Sequence, residues 1–358
     1  MNKRRQLLLG TSLTMVNAAF AQTVRFNDKQ RPRIYMVTWR GRTDAEKGFV
    51  DFWKTQKDQP EFIWHDAAQN PAKLIEIAAE ITRIKPDLVY AWGTPATLGL
   101  AGSVDKPHAV IGREIPLIFA IVADPVAAGL TRTLTNHGRR LTGVSHVAPL
   151  TQQMEAMRTY RAIARVGIIY NKLEPNSMAN VAAWQMLGRQ HGFNVESVAF
   201  PVTNNKLDAA DASVNKALVE QLVKAKINWL YLGPDSYLFS QLASVAEAAS
   251  TNGLATFAAV ESMLNSAAPV LTGLVSKFDQ VGQFAGFKAA QLLRGERDVP
   301  IETLKRFSLV IRLDTAKQLG AYPPLRLIDH AEFRGQNKNV KSPIGGHFGA
   351  ISAESVRQ

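Results

Sequence analysis

The chain of 358 residues contains no cysteine. Disulfide bridges and thiolate metal sites are therefore excluded, and the fold depends on the burial of apolar side chains. The hydrophobic fraction of 46% and the charged fraction of 20% are ordinary for a globular protein. Nothing in the composition indicates a disordered or fibrous chain.

Motifs for catalysis and for binding nucleotide phosphates are also missing. No GxxxxGK[ST] sequence occurs, and the glycines at 345, 346 and 349 do not lie between a predicted strand and a helix. The seven histidines form no i, i+4 pair on a predicted helix, so they give no zinc motif. We therefore expect no enzyme, no cofactor and no metal, although a catalytic site assembled from distant positions stays an alternative.

The formal net charge of +12 raises the question of a nucleic-acid partner. The cations are scattered, however. The nearest to clusters are the pair Arg31 and Arg33 with the pair Arg40 and Arg42, and Arg139-Arg140, and no aromatic residue lies within any of these pairs. A stacking groove for single strands would need cations interleaved with aromatic residues. We expect no nucleic-acid binding, and instead a mildly electropositive cleft that attracts an anionic solute.

The amino terminus has the three parts of a secretory signal peptide. Lys3, Arg4 and Arg5 form a positive region, an apolar stretch runs from Leu7 to Val16, and Ala19-Phe20-Ala21 gives a cleavage site. About ten apolar residues are too few for a membrane-spanning helix, which needs roughly twenty. We expect cleavage after residue 21 and a periplasmic protein, and Arg4-Arg5 leaves twin-arginine export as an alternative to general secretion.

After this segment the chain alternates short apolar runs with longer stretches of helical spacing. This pattern is typical of βα units around a parallel sheet. More than 300 residues exceed what one hydrophobic core normally supports, so two lobes are expected. We predict strands at 34–38, 61–65, 87–91 and 117–122 in the first half, and at 165–170, 194–200, 228–232 and 255–259 in the second.

Ile115 to Ser145 reads as a buried strand that breaks at Ala123-Asp124-Pro125 into a turn and a short helix, followed by Thr142-Gly143-Val144-Ser145. This segment resembles the corresponding one in a family of bacterial ABC-transporter substrate-binding proteins that includes tryptophan- and tyrosine-binding proteins. The turn Trp92 to Ala96, the segment Asn171 to Ser177 and the segment Asp314 to Gly320 are similar to that family as well. After Glu261 the sequence departs from the family pattern, which affects one wall of the pocket.

The resemblance implies an α/β fold with two doubly wound parallel-sheet lobes joined by a multi-strand hinge, the type I fold of periplasmic binding proteins. It also implies lobes built from discontinuous chain. The expected divisions are residues 1–21 for the signal peptide, 33–142 plus 270–296 for the N-terminal lobe, 143–262 plus 303–320 for the C-terminal lobe, and 321–358 for an irregular extension.

In proteins with open α/β sheets, solutes bind beyond the carboxyl ends of the strands, where the amides at helix amino termini point toward them. The candidate ligand-binding residues follow predicted strands or match the family pattern: Trp39, Arg40, Trp92, Gly93, Thr94, Asp124, Asn171, Ser177, Asp235 and Glu261. Each also has a plain structural interpretation. Thr94, Ser177 and Asp235 are possible helix caps, Asp124 a turn former and Glu261 a hinge residue, whereas tryptophans usually pack and loop arginines are usually solvated.

The sequence thus predicts the periplasmic solute-binding component of an ABC importer. The expected solute is a small carboxylated molecule, either an aromatic or branched amino acid or an aromatic acid. The expected partners are that solute and an inner-membrane permease with its ATPase, and the protein itself is expected to be a monomer. Two alternatives stay open: a sensor that docks on a membrane receptor, and an exported enzyme on the same fold.

Overall fold

A computed structural model describes residues 31–135, 138–204, 206–208 and 211–335 of the chain. The predicted signal peptide and the part of the C-terminal extension after residue 335 lie outside these residues. Within them, no helix combines the length and the apolarity that crossing a membrane requires.

Alternation of strands and helices along the chain follows the predicted pattern. The strands are β1 (Arg33–Thr38), β2 (Glu61–Asp66), β3 (Leu88–Trp92), β4 (Leu117–Val122), β5 (Leu141–Ser145), β6 (Arg165–Tyr170), β7 (Asn194–Ala199), β8 (Val202–Thr203), β9 (Lys206–Leu207), β10 (Trp229–Leu232), β11 (Ala255–Ala258), β12 (Thr272–Val275), β13 (Glu302–Thr303), β14 (Ser308–Arg312) and β15 (Ala331–Arg334). The α-helices are α1 (Asp44–Lys54), α2 (Pro71–Ile84), α3 (Thr94–Ala101), α4 (Leu150–Tyr160), α5 (Pro175–His191), α6 (Ala212–Lys224), α7 (Ser236–Ser240), α8 (Leu242–Thr251), α9 (Glu261–Leu264), α10 (Phe278–Leu293) and α11 (Leu313–Gln318).

Local sequence explains where several helices begin. Thr43 caps α1 by accepting from the amide of Ala45, and Glu46 reaches back to the Thr43 amide, which completes a capping box. Asn70 caps α2 by accepting from the amide of Ala72, and Pro71 occupies the first turn, where its missing N–H leaves no helical hydrogen bond unmade. Each of these side chains marks the residue after which its helix begins.

The first lobe is built on a six-stranded parallel sheet in the order β13-β5-β4-β3-β1-β2. Every residue of β3 and β4 is buried, as expected for central strands covered on both faces. Helix α10 packs on this sheet and lies against α1. The two helices approach closely because Gly282 faces the backbone of Ala45, where a Cβ atom would collide with the carbonyl oxygen.

The second lobe is built on a seven-stranded sheet in the order β15-β14-β12-β11-β10-β6-β7. Its strands are parallel except between β12 and β14, which pair antiparallel. Three chain segments connect the lobes: β5 leads into α4, β12 leads into α10, and β13 leads into β14. Two doubly wound lobes with a multi-strand hinge are the predicted architecture.

The lobe boundaries differ from the expected ones at β5 and β12, and also at Thr303, which was assigned to the C-terminal lobe but lies in β13 of the first sheet. Residues 143–145 belong to β5 of the first sheet, although the sequence placed the boundary at 142/143. Strand β12 was assigned to the first lobe with 270–296, but it lies in the second sheet, where four of its residues pair with β14. Both strands are short, apolar and buried, so their sequences do not indicate which sheet they join.

Residues 321–335 are more regular than expected for a surface tail. A 3-10 helix covers Leu325–His330, and β15 pairs in parallel with β14 along its whole length. The pairing explains why residues 331–334 form a regular strand, because β14 would otherwise be an exposed edge of the second sheet. Similarly, the described part of 124–140 forms turns and bends instead of the short helix predicted there.

Candidate functional site

A cavity lies between the lobes, where loops after the strands of both sheets meet. We call it the cleft cavity. From the first sheet and its loops it is lined by Arg40, Trp92, Gly93, Thr94, Pro95, Ile121, Ala123 and His146, and from the second by Glu174, Asn176, Pro234, Asp235, Ser236, Phe239, Val260 and Met263. Its volume is about 40 Å³. Since about 10–15 Å³ accommodates one water molecule, the cavity as it stands has room for a group the size of a carboxylate.

Arg40 crosses the cleft from the loop after β1. Its guanidinium carbon lies 5.0 Å from the centroid of the Trp92 ring and 3.8 Å from that of Phe239. The Nη1 atom is buried and has no hydrogen-bond partner. Burial lowers the pKa of Arg40 to about 10, while the charge of Glu174 acts in the opposite direction. The side chain therefore stays cationic at neutral pH with one donor group unused.

The loop that carries Arg40 is fixed by Asp66 at the end of β2. Oδ1 of Asp66 accepts from the Thr38 hydroxyl and from the Gly41 amide, both at 3.0 Å. Burial acts to raise the pKa of Asp66, but the hydrogen bonds together lower it below its usual value, so the carboxylate is charged and accepts them at neutral pH. The residues on both sides of Arg40 are thus held from the neighbouring strand.

The Trp92 ring is held in place from α1. Its Nε1 donates to the hydroxyl oxygen of Thr43 at 3.1 Å, and Thr43 is itself bonded to the buried Glu46. The Tyr90 hydroxyl donates to the other oxygen of Glu46 at 2.5 Å. A chain of buried hydrogen bonds therefore fixes the aromatic wall on which Arg40 lies.

Helix α3 begins at the cleft cavity. The N-cap residue is Gly93, with φ of +84°, and not Thr94, which is the first residue inside the helix. The predicted capping role of Thr94 is therefore wrong, and no side chain caps this helix. Glycine suits the position because a side chain at such a φ is strained. The uncapped amides at this positive end favour a negative group in the cavity.

Strand β4 bulges where it reaches the cavity. The pairing register with β5 shifts between Ala120 and Val122, and Ile121 between them has φ of +60°. A β-branched residue rarely adopts this conformation, which costs on the order of 1–3 kcal/mol. The bulge places Ile121 among the lining residues of the cleft cavity.

His146 follows β5 and is almost completely buried beside the cavity. Its Nδ1 has no hydrogen-bond partner, whereas the ring bonds to the backbone of Val122. Burial, together with the nearby positive charge of Arg40, lowers the pKa of His146 to about 4. The imidazole is therefore neutral at physiological pH, and Nδ1 is an unused acceptor.

Two carboxylates line the cavity from the second lobe. The oxygens of Glu174 accept from the amide and the hydroxyl of Ser236, at 3.0 and 3.2 Å. Burial and the neighbouring charge of Asp235 raise the pKa of Glu174 to about 7. Glu174 is thus a carboxylate whose charge is costly unless a cation joins it.

Both carboxylate oxygens of Asp235 accept hydrogen bonds from residues of its own lobe. One oxygen caps α7 by accepting from the Leu238 amide, and the other accepts from the Asn171 amide and the Ser177 hydroxyl at 2.7 and 2.6 Å. Burial raises the pKa of Asp235. It lines the cavity, yet its oxygens already bond to the loop at Asn171 and to the first turns of α5 and α7.

Five predicted ligand-binding residues do not line the cleft cavity. Trp39 is packed in the core. Asn171 closes a turn with the Leu173 amide, and Ser177 is the third residue of α5 and binds Asp235, so its predicted role as a cap is wrong. Asp124 is exposed and holds the turn through the amides of residues 126 and 127.

Glu261, the fifth, lies at the hinge. Its Oε2 accepts from the Phe278 amide at 2.6 Å, and its other oxygen lies 3.5 Å from Lys277 and 3.6 Å from Arg334. Lys277 and Arg334 also pair with Glu332 of β15. This network connects β15 to the segment between β12 and α10, which is one of the three connections between the lobes. Glu261 is therefore a hinge residue, the alternative interpretation given for it.

The structure brings together Arg40, Trp92, Gly93, Thr94 and Asp235 of the predicted set. The prediction missed Glu174, His146, Phe239 and Ile121. His146 follows strand β5, so the rule that sites lie after strands could have located it. The expected lobe boundary at 142/143, however, placed His146 in the other lobe. No local pattern distinguishes Phe239, which reaches the cavity only because the lobes meet. Among the described residues, no three or more His, Asp or Glu side chains are arranged to hold a metal ion.

Comparison with known proteins gives consistent results. A family model described as ABC transporter substrate binding protein matches residues 36–332. A tyrosine-binding protein of Clostridioides difficile is 27% identical over 306 residues, which cover 85% of this chain and 79% of that protein.

Two crystal structures share the fold. A conserved domain protein of Vibrio cholerae aligns with a TM-score of 0.71 at 21% identity, and an ABC domain of Streptococcus pneumoniae in complex with L-Trp aligns with a TM-score of 0.71 at 22% identity. Each alignment covers 85% of this chain and 99% of the other. The predicted fold class is therefore confirmed.

Proposed function

The chain belongs to the ABC transporter substrate-binding protein family, whose members bind solutes and are not enzymes, and from that premise we propose its solute and site. The proposed function is capture of an amino acid in the cleft cavity for an ABC importer. The solute is held between the two lobes by its carboxylate and its ammonium group.

The unused donor of Arg40 carries this proposal. A buried guanidinium group costs free energy unless it is paired, and Nη1 has no partner in the described structure. A carboxylate is the group that a guanidinium pairs with best, through two parallel hydrogen bonds. The uncapped start of α3 at Gly93 and Thr94 adds positive potential on the same side of the cavity.

Two acceptors for an ammonium group line the cavity, Glu174 from the second lobe and His146 from the first. Glu174 is a carboxylate destabilised by burial, and the neutral His146 offers an unused Nδ1. A cation between them would compensate the negative charge and fill the vacant acceptor. A cavity that offers both an unused cationic donor and unused acceptors favours a zwitterion over a simple acid or a sugar.

The contributions come from both lobes, which links binding to closure. Arg40, Trp92 and the start of α3 belong to the first lobe, and Glu174 and Phe239 belong to the second. A solute that contacts both walls stabilises the closed arrangement relative to the open one. The closed protein would then be presented to an inner-membrane permease with its ATPase.

Export to the periplasm completes the proposal. The positive, apolar and small-residue regions of residues 1–21 support secretion and cleavage. The protein is proposed to act there as a monomer. Measurement of the mature N-terminus in a periplasmic extract tests this part, and retention of the full chain in the cytoplasm would contradict it.

A thermal-shift screen tests the proposed solute class. The panel contains amino acids, the matching amino acid amides and the matching deaminated acids. A ligand that binds only the folded form raises the melting temperature, so an amino acid should raise it more than its amide or its deaminated acid does. A panel in which no amino acid changes the melting temperature would overturn the proposal.

A further inference from the structure

A second cavity adjoins the cleft cavity and is larger, with a volume of about 220 Å³ against about 40 Å³. It lies between the turn at Ala123-Asp124, the start of α4 and one face of α5. Ala123, Asn176 and Pro234 line both cavities. The two spaces are therefore neighbours that share a wall.

The walls of the second cavity are mainly small and apolar. Val147, Leu150, Ala179 and Ala183 are among the lining residues, and Ala179 and Ala183 lie one helical turn apart on α5. The only charged lining residue in the described structure is Asp124, whose Oδ1 is bound to two backbone amides. Such walls suit a neutral, largely apolar group.

Asn176 provides one polar feature of this space. It is 5% exposed, and its Nδ2 donates to the carbonyl oxygen of Pro234 and to Glu174. Both of those partners are acceptors, which fixes the orientation of the amide and leaves Oδ1 as the free atom. Oδ1 is buried without a partner. It can accept one hydrogen bond from a donor on the solute.

We infer that the second cavity is the subsite for the side chain of the bound amino acid. The inference rests on the proposed function, because it takes the cleft cavity as the site of the ammonium and carboxylate groups. At about 40 Å³ the cleft cavity has no room for a large side chain beside those groups. The preferred solutes then have a bulky neutral side chain, aromatic or branched. A short side chain would leave the subsite unfilled, and a charged side chain would be buried there without a partner of opposite charge.

Filling the second cavity tests this assignment. Ala179→Leu puts three extra carbon atoms into the subsite, and Ala182→Leu adds the same atoms on the exposed side of the same helix. Affinities for L-tyrosine, L-tryptophan, L-leucine and L-alanine are measured by calorimetry for the wild type and both variants. The melting temperature of each ligand-free variant shows whether it is folded, and Ala183→Leu replaces Ala179→Leu if that variant is not.

We expect Ala179→Leu to weaken binding of the large amino acids by about tenfold or more, since one carbon in an apolar pocket changes discrimination by about 10–200-fold. Binding of L-alanine should change by less than about threefold, and Ala182→Leu should match the wild type. An equal loss for large and small amino acids, or no loss for any, would overturn the side-chain subsite while leaving the amino-acid site intact. A wild-type protein that binds none of the four would instead overturn the proposed function.

Discussion

The guanidinium carbon of Arg40 lies 3.8 Å from the centroid of the Phe239 ring, so a side chain of the first lobe contacts one of the second lobe directly across the cleft. The contact exists only when the lobes are together. A cation over an aromatic face contributes roughly 0.5–2 kcal/mol, depending on how far it is removed from water. The ligand-free protein is therefore biased toward closure by the same residue that is proposed to bind the solute.

Replacing Phe239 by Leu should remove this bias. We expect the radius of gyration of the ligand-free protein, measured by small-angle scattering, to increase relative to the wild type because the open arrangement becomes more populated. Phe287→Leu is the matched control, since Phe287 is exposed on α10 outside the cleft cavity. Identical scattering curves for all three proteins would show that the Arg40–Phe239 contact does not affect closure.

The affinity for an amino acid should depend on pH through Glu174. Its pKa is raised to about 7, so below pH 7 the free protein holds a proton that an incoming ammonium group must displace. Affinity therefore falls as the pH decreases below 7, by up to about tenfold per pH unit. His146 does not contribute in this range, because burial lowers its pKa to about 4.

Calorimetry between pH 6 and pH 8, in buffers with different ionisation enthalpies, measures both the affinity and the released proton. Glu174→Gln should abolish the slope, and its affinity should equal the weak affinity of the wild type at low pH. A wild-type affinity that is constant from pH 6 to pH 8 would contradict the assignment of Glu174 as the partner of the ammonium group.

Asp235→Ala should destabilise the second lobe strongly. The substitution leaves the Ser177 hydroxyl and the Leu238 amide without their acceptor in a buried place, and it removes the shorter of the two hydrogen bonds of the Asn171 amide. Each unsatisfied donor costs about 1–3 kcal/mol, so the free energy of unfolding should fall by about 2 kcal/mol or more. Asp211→Ala is the control, because Asp211 caps α6 at the surface and its loss should cost about 1 kcal/mol.

Chemical denaturation monitored by tryptophan fluorescence gives both values. If Asp235→Ala and Asp211→Ala lower the free energy of unfolding by the same amount, Asp235 is an ordinary helix cap and does not connect α7 to α5 and to the loop at Asn171.

Gly282→Ala tests the packing of α10 on the first lobe. The added methyl group meets the backbone of Ala45 on α1, so the helices must separate, and overpacking of this kind costs about 1–3 kcal/mol. Gln283→Ala changes the next, exposed position of the same helix and should leave stability nearly unchanged. Circular dichroism melting curves compare the two, and a Gly282→Ala protein as stable as the wild type would contradict the close contact.

Much of the fold could be predicted from the sequence because buried parallel strands are short apolar runs between turn residues. Strands such as β3 and β4 have this form, and each lies within one or two residues of its predicted bounds. Membership of a sheet could not be predicted in the same way. β12 pairs with β14, which is separated from it by more than thirty residues, and local sequence carries no record of that partner.

The candidate site divides along the same line. Arg40 and Gly93 follow directly after strands, so the rule for open sheets located them. Glu174 and Phe239 enter the cavity from the second lobe, and their positions depend on how the two lobes meet. For Ser177 and Thr94 the residue type suggested a cap, but the backbone begins each helix at an earlier residue.

The recognition of a carboxylate by Arg40 is the central claim, and calorimetric titration of one amino acid into Arg40→Met and Arg42→Met tests it most directly. Arg42 also stacks on a tryptophan, with its guanidinium carbon 3.7 Å from the centroid of the Trp64 ring, but it does not line the cleft cavity. Hydrogen bonds to charged groups contribute about 1.5–3 kcal/mol.

Arg40→Met should therefore weaken binding by about 10-fold to 150-fold without lowering the melting temperature of the free protein, and Arg42→Met should bind like the wild type. Equal affinities for Arg40→Met and the wild type would contradict the claim.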